Sequence, residues 1–257
     1  MAGHAAMSEP ETRAPKVRLH VTDPLAAGAE VPLGPAPGHY LRNVMRLGPG
    51  DPVALFNGRD GEWLAGIAAW ERRTGGRLVV RERLREQAAE PGPALLFAPI
   101  RRHRLEILVE KATELGAASL VPVLTRRTVA VGGRIDRERL GRIAVEAAEQ
   151  SRRLTVPAIA EPRPLAALLA DWPAAEGRRL YLCDAGGGGR PIAGALAESG
   201  PGDLLVGPEG GFAPEELAEL RAMAYVSPVG LGPRTLRAET AALAALSCWQ
   251  AVLHPGR

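Results

Sequence analysis

Between residues 17 and 87, apolar positions come in short runs divided by glycine-rich or charged turns. The runs DPVALF (51–56), EWLAGIAAW (62–70) and GRLVVRERL (76–84) predict strands, and HYLRNVMRL (39–47) predicts one helix. Strands this short and this evenly spaced suit a small β-barrel. From Glu86 to Pro93 the chain becomes polar and bears Pro and Gly, so a boundary is expected there, with one domain over 17–87 and a second over 92–257. Beyond it, ALLFAPI, SLVPVL, RLYLCD and DLLVG alternate with helical stretches, the pattern of an α/β domain with a parallel sheet. A helix over roughly 101–116 is expected to bury Leu105, Leu108, Ala112 and Leu115. One over roughly 137–153 is expected to bury Leu140, Ala144, Ala147 and Ser151 and to display Arg142, Glu146, Glu149 and Arg153. The last helix turns Leu243, Leu246 and Leu253 inward.

Composition narrows the setting. Residues 1–16 are small, polar and proline-bearing, without the apolar stretch of a signal peptide, and read as a disordered tail. No run approaches the roughly 18 apolar residues of a membrane span, so a cytoplasmic protein is expected. Cys183 and Cys248 form neither a C-x-x-C pair nor a disulfide framework, and His4, His20, His39, His103 and His254 lack metal-ligand spacing, so no metal is expected. The net charge of +3 says little until it is divided along the chain. Residues 1–90 carry 12 Lys and Arg against 11 Asp and Glu, residues 91–160 carry 12 against 7, and residues 161–257 carry 8 against 11. A basic middle beside an acidic end predicts a polyanion bound on one face and other chemistry further along. Arg104 and Lys111, seven apart on one helix, share an azimuth from which both could meet one RNA backbone.

Two glycine-rich stretches compete for the chemistry. RLYLCDAGGGGR (179–190), a strand ending in an acid before glycines, resembles the opening of a Rossmann-type cofactor site. That motif opens its domain, each βαβ unit takes about 30 residues, and too little chain follows. It reads instead as a surface loop, one that can still edge a pocket. The stronger signal is the pair DLLVGPEGGFAPEEL (203–217) and VGLGPRTLRAETAALAAL (229–246). In the first, Gly207, Gly210 and Gly211 permit close backbone approach, and the following helix starts with Pro214, Glu215 and Glu216. It is neither a P-loop nor G-x-G-x-x-G, and acids at the helix start disfavour a phosphate there. A ligand such as an adenosine without phosphates is expected.

GPEGGF with LGPRTLRAETAAL is similar to the two S-adenosylmethionine (SAM) motifs of the RsmE family, the 16S ribosomal RNA uridine-N3 methyltransferases of the SPOUT superfamily. HYLRNVMRLGPGD (39–51), EKATELGAASLVPVLTRR (110–127) and AVEAAEQSRRLTVPAI (144–159) agree with that family in order and spacing, so the resemblance runs from about residue 17 onward. One departure is RRHRLE (101–106), where the family has Gly and Lys before Met-Glu; Arg104 keeps the charge. The resemblance implies a PUA-like β-barrel followed by an α/β SPOUT domain with a parallel sheet and a C-terminal trefoil knot, acting as a homodimer. It implies that Leu205, Gly207, Pro208, Glu209, Gly210, Gly211, Leu231, Gly232 and Leu236 hold SAM. It further implies that Arg42, Arg46, Arg104, Lys111, Arg126, Arg127, Arg152 and Arg153 contact 16S ribosomal RNA, within the assembled small ribosomal subunit. A protonated uridine N3 must lose its proton, and charge then spreads to O2 and O4, which makes Arg237 and Arg234 the candidate stabilisers and Glu239 a candidate base.

Two other readings share these features. A SPOUT ribose 2′-O-methyltransferase has a similar glycine loop but ends in a Ser-Leu-Asn-Val element absent here. A non-catalytic RNA-binding assembly factor would keep the basic middle and the barrel but would not need the glycine-rich pair.

Overall fold

In the computed structural model, which describes residues 14–71, 75–128, 135–173, 177–184, 186 and 189–254, the chain divides into two units between Ala88 and Ala89. Most of the expected tail, residues 1–13, lies outside the described residues. The first unit contains β1 (Arg18–His20), β2 (Glu30–Leu33), α1 (Pro35–His39), β3 (Pro52–Phe56), β4 (Glu62–Glu71) and β5 (Gly75–Arg85). Its sheet runs β1-β3-β4-β5-β2, parallel only between β1 and β3. Leu19 from one end of this sheet and Val31 and Leu33 from the other share one core with Val53, Leu55, Ile67 and Leu78. The sheet therefore curls round its own apolar face, and three register shifts between β4 and β5 supply bends of the kind that barrels use.

The helix expected over 39–47 starts earlier. Pro35 fits a first turn, where an N–H has no partner, and α1 continues as a π-helical turn over Tyr40–Val44, with Met45 N–H bonded to Tyr40 C=O at 2.9 Å. Arg46, at φ 55°, ends it. Leu41 is the buried anchor of this turn, while Arg42 and Arg46 stay exposed.

The second unit contains β6 (Ala94–Phe97), α2 (Arg102–Glu114), β7 (Ser119–Leu124), α3 (Arg137–Ser151), β8 (Ala158–Ile159), β9 (Arg163–Pro164) and α4 (Leu165–Ala170). It continues through β10 (Arg179–Cys183), β11 (Arg190–Pro191), α5 (Ile192–Ser199), β12 (Gly202–Val206), α6 (Pro214–Ala222), β13 (Val226–Gly230) and α7 (Ala238–Leu253). The strands lie in the order β11-β13-β10-β12-β6-β7-β8, with β9 beside β7, and every pairing is parallel. Central strands of such a sheet are covered on both faces, which is why ALLF (94–97) and LLV (204–206) read as unbroken apolar runs. The pleat sorts them. Leu95, Phe97, Tyr181 and Leu204 face a core with α2, α3, α5 and α7, while Leu96, Leu180, Leu182 and Leu205 face one with α4 and α6.

Helix faces follow the expected period with local corrections. On α2, Leu105, Leu108 and Ala112 are buried with Val109, and Leu115, just past the helix end, is only partly covered. On α7 the buried stripe is Ala238, Ala242, Ala245, Leu246 and Trp249; Leu253 is partly buried, and the expected Leu243 lies off the stripe. Alanines at these positions let α7 lie close to the sheet, where Trp249 Nε1 donates to Gly202 O at 3.1 Å. On α3, Ala148 takes the core place expected for Ser151.

The largest correction concerns Arg153. Helix α3 stops at Ser151, Arg152 takes a left-handed φ of 61°, and Arg153 turns inward to 7% exposure instead of being displayed. Its Nη1 donates to Thr113 O at 2.8 Å and Ala117 O at 2.9 Å, tying the end of α2 to the loop after α3. A guanidinium so engaged is structural and is not available to RNA phosphate. Thr113 O also accepts from Gly116 N, so removal of Arg153 would chiefly strip the Ala117 carbonyl, at a cost of about 1–3 kcal/mol. Glu90 completes the arrangement, accepting from Leu154 N at 2.9 Å and Thr155 Oγ1 at 2.6 Å.

Glu90 gives this arrangement a pH signature. Burial alone would raise its carboxyl pKa, but hydrogen bonds from Leu154 and Thr155 and the neighbouring Arg153 outweigh it and hold the group below the ordinary 4.5. A depressed carboxylate stabilises the fold above its unfolded pKa, and that contribution is lost as pH falls through the folded pKa. Glu90→Gln is expected to be less stable than the wild type near neutral pH and to approach it below about pH 4. Denaturant unfolding across a pH series measures this gap, and a gap independent of pH would contradict the assignment.

Candidate functional site

Parallel pairing brings the carboxyl ends of β10, β12 and β13 to one edge of the sheet, the edge at which open α/β sheets bind ligands. Three loops leave from there: the Asp-Gly loop after β10, GPEGG (207–211) after β12, and LGPRTLR (231–237) after β13. Between the first and third opens a cleft of about 440 Å³. Cys183, Asp184 and Gly189 line one side; Gly230, Leu231, Gly232, Arg234 and Leu236 line the other, with Ala241 of α7. Leu231, Gly232, Leu236 and Arg234 are thus brought together as the sequence suggests.

The cleft's other wall was not chosen from the sequence, although its signal was visible as an acid followed by glycines at a strand end. Gly189 packs so tightly that an added Cβ would sit 2.5 Å from the Val229 backbone. Asp184 is nearly covered; its carboxylate accepts from Gly186 N at 2.8 Å and from the Arg221 guanidinium, so it shapes the loop. Burial, with the Cys248 thiol nearby, pushes the Cys183 thiol up to about 12, which keeps it protonated and rules out a thiolate nucleophile at neutral pH.

The GPEGG loop sits at the neighbouring strand end, and among the described residues it does not line this cleft. Gly211, at φ +68°, closes a turn through its N–H to Pro208 C=O at 2.8 Å. Phe212 dictates Gly207, since a Cβ there would lie 2.7 Å from its ring. Leu205 has its side chain fully buried in the core and its backbone between β10 and β6, so any contact it makes with a cofactor is through backbone near the strand end. After Pro214 in the first turn of α6, Glu216 turns back to accept from Ala213 N at 3.0 Å and from Arg126 N at 2.7 Å. Glu216 is buried, so the acid read from sequence as a dipole partner is also a clamp across elements.

The basic residues separate into engaged and open groups. Arg104 holds two carboxylates, Glu209 and Glu239, the latter at 3.5 Å from Nε. Lys111 lies between Glu110 at 2.7 Å and Glu114 at 2.8 Å, whose hydrogen bonds raise its pKa above the ordinary lysine value. The shared azimuth of Arg104 and Lys111 therefore does not present two open charges. Arg126 pairs with Glu215 at 3.3 Å and so braces the start of α6, and Arg127 Nη1 donates to Gly210 O at 3.1 Å and braces the GPEGG loop. Arg152 is exposed. Arg42, Arg46, Arg234 and Arg237 are exposed and, among the described residues, have no ion-pair partner. Glu239, in the first turn of α7, is mostly buried, and its Oε2 has no hydrogen-bond partner. The described residues contain no cluster able to hold a metal ion.

Comparison with known proteins agrees with this geometry. The model of an RNA methyltransferase domain matches residues 90–250, and that of an RNA methyltransferase PUA domain matches residues 37–72. The ribosomal RNA small subunit methyltransferase E of Rickettsia conorii is 32% identical over 242 residues, covering 90% of this chain and 93% of that protein. Its counterpart from Synechocystis is 33% identical, with 92% and 78% covered. The crystal structure of the Neisseria gonorrhoeae ribosomal RNA small subunit methyltransferase E bound to S-adenosyl methionine superposes with a TM-score of 0.75 at 26% identity, covering 92% of this chain and 98% of that one. A PUA-like barrel unit, a parallel α/β unit with the two glycine loops, and identity above 30% along nearly the whole length make this chain a member of the ribosomal RNA small subunit methyltransferase E family, the RsmE family its motifs resemble.

Proposed function

We propose that this chain transfers a methyl group from SAM to N3 of a uridine in 16S ribosomal RNA of the small subunit. The observation that carries the proposal is the cleft framed by the Leu231–Leu236 loop, with two unpartnered guanidiniums, Arg234 and Arg237, on that loop and at its end. The cleft suits this cofactor. Its volume of about 440 Å³ lies within the roughly 300–1,000 Å³ of small-molecule sites. Gly232 sits at φ +107° with open space where a Cβ would be, so a ligand can approach its backbone.

When bound, SAM supplies a methyl carbon on a sulfonium that needs no activation as a leaving group. Backbone groups of Leu231, Gly232 and Leu236 hold it, with Gly207, Pro208, Gly210 and Gly211 at the neighbouring strand end. The chain's remaining task is to place N3 in line with that carbon, a positioning effect. N3 lies on the pairing edge, so the uridine must be unpaired or flipped out. The N3 proton leaves to solvent water, and as it does so Arg237 and Arg234 donate to O2 and O4 and stabilise the spreading charge. Glu239 is assigned to holding Arg104, because its carboxylate faces α2. In the first unit Arg42 and Arg46, open and exposed, carry phosphate contacts, and in the second unit that role falls to Arg126, Arg127 and Arg152. The same family resemblance implies a homodimer and a C-terminal segment threaded as a trefoil knot. A substrate within ribosomal subunits implies action in the cytoplasm.

Methyl transfer to unmodified small subunits and to free 16S RNA, with the product nucleoside identified by mass, tests the reading; 3-methyluridine is expected, and a ribose-methylated nucleoside or no product refutes it. Arg237→Ala is expected to lower turnover by on the order of 100-fold while SAM affinity holds, as measured by single-turnover kinetics and calorimetry. RNA affinity is expected to fall steeply with salt while SAM affinity barely changes, because phosphate contacts release counterions. Arg42→Ala with Arg46→Ala should reduce that salt slope by about two, and an unchanged slope would remove both from the RNA surface.

A further inference from the structure

We propose that Arg104 is a positioning residue that couples the two glycine loops by holding Glu209 and Glu239 at once. That these loops hold SAM is the reading proposed above; the coupling concerns the loops themselves. Glu209 belongs to GPEGG, which follows β12, and Glu239 to the first turn of α7, immediately after LGPRTLR. The two are joined through a single side chain on α2, a helix packed on the core by Leu105, Leu108 and Val109. Guanidinium chemistry suits the task, since its rigid fork of donors can serve two carboxylates in fixed directions.

Burial decides how strongly the coupling is felt. The Arg104 and Glu239 side chains are 27% and 14% exposed, so solvent screens this pair less than it screens Arg104 with Glu209, which is 43% exposed. Glu239 Oε2 is buried without a hydrogen-bond partner among the described residues, so Arg104 is the group that holds this carboxylate. Removing Arg104 would strand a buried charge, and the first turn of α7 must shift to bring it to water. Arg127 on Gly210 gives the GPEGG loop a second hold, and Glu216 on the Arg126 amide fixes the start of α6 that follows it. Arg104 is the side chain that links GPEGG to the end of LGPRTLR. The charge at position 104 thus acts on the cofactor loops and not on RNA phosphate.

Amide hydrogen exchange on the full chain without ligand tests the coupling at Gly211, whose N–H bonds Pro208, and at Ala241, whose N–H bonds Arg237. Arg104→Met should speed exchange at both. Glu239→Gln should speed it at Gly211, and Glu209→Gln at Ala241, although neither substitution touches the distant amide. By calorimetry Arg104→Met should weaken SAM binding by about tenfold, and Arg104→Lys should not restore it, since an ammonium lacks the fork. The salt slope of RNA binding should stay at the wild-type value. Exchange confined to the mutated side in Glu209→Gln and Glu239→Gln would overturn the coupling. So would intact SAM affinity in Arg104→Met with a lower melting temperature alone, which makes the residue structural, or with a salt slope reduced by about one, which makes it a phosphate contact. If the wild type fails to bind SAM, the proposed function falls, and the exchange data still decide the coupling.

Discussion

Parallel pairing in the second unit is the constraint on which the rest depends. With β13, β10, β12, β6 and β7 all running the same way, each strand must hand its chain to a loop on one edge and recover it through a helix on a face. Three glycine-bearing loops are thereby delivered to the same edge from segments far apart in sequence. The faces are filled by α2, α3, α5 and α7 on one side and α4 and α6 on the other, which leaves the edge as the open surface where a cleft can form. Small residues then determine how closely the loops approach, as at Gly189 against the Val229 backbone.

Charge is distributed by a different rule. Many of the basic residues in the second unit are matched by a nearby carboxylate or carbonyl, and a matched charge joins elements before it meets a ligand. Arg153 joins α2 to the loop after α3, Arg127 fastens GPEGG to the loop after β7, Arg126 pairs with Glu215 of α6, and Arg104 reaches from α2 to GPEGG and to the first turn of α7. Among the described residues Arg42, Arg46, Arg234 and Arg237 are exposed without an ion-pair partner. In the basic segment 91–160, Arg104, Lys111, Arg126, Arg127 and Arg153 instead belong to a framework of ion pairs and hydrogen bonds.

Much of the architecture was legible in the chain by itself. Period-2 apolar runs, unbroken apolar strands and three-and-four helical spacing are local consequences of backbone geometry, so the barrel strands, the parallel sheet and the buried faces of α2 and α3 follow from them. The glycine-rich pair was legible for the same reason: Gly211 and Gly232 occupy left-handed φ values that side chains avoid, and Pro214 falls where a first turn needs no N–H.

Tertiary structure alone decided which local options were used. Arg153 lies on the exposed face only if α3 continues, and the left-handed turn at Arg152 sends it inward to carbonyls some 36 and 40 residues away. Leu205 follows a strand pattern that cannot say which face meets the ligand, and its pleat points it into the core. Asp184 and Gly189 stand in a loop whose place along the chain does not mark it as a site, whereas strand order places it across the cleft from Leu231 and Gly232. Arg104 shows the same limit: its charge is written in the sequence, but its partners lie 105 and 135 residues away and become neighbours only after the sheet has formed. Sequence determines the elements because their periods are local, and the fold decides the partners because burial and ion pairing depend on distances in space.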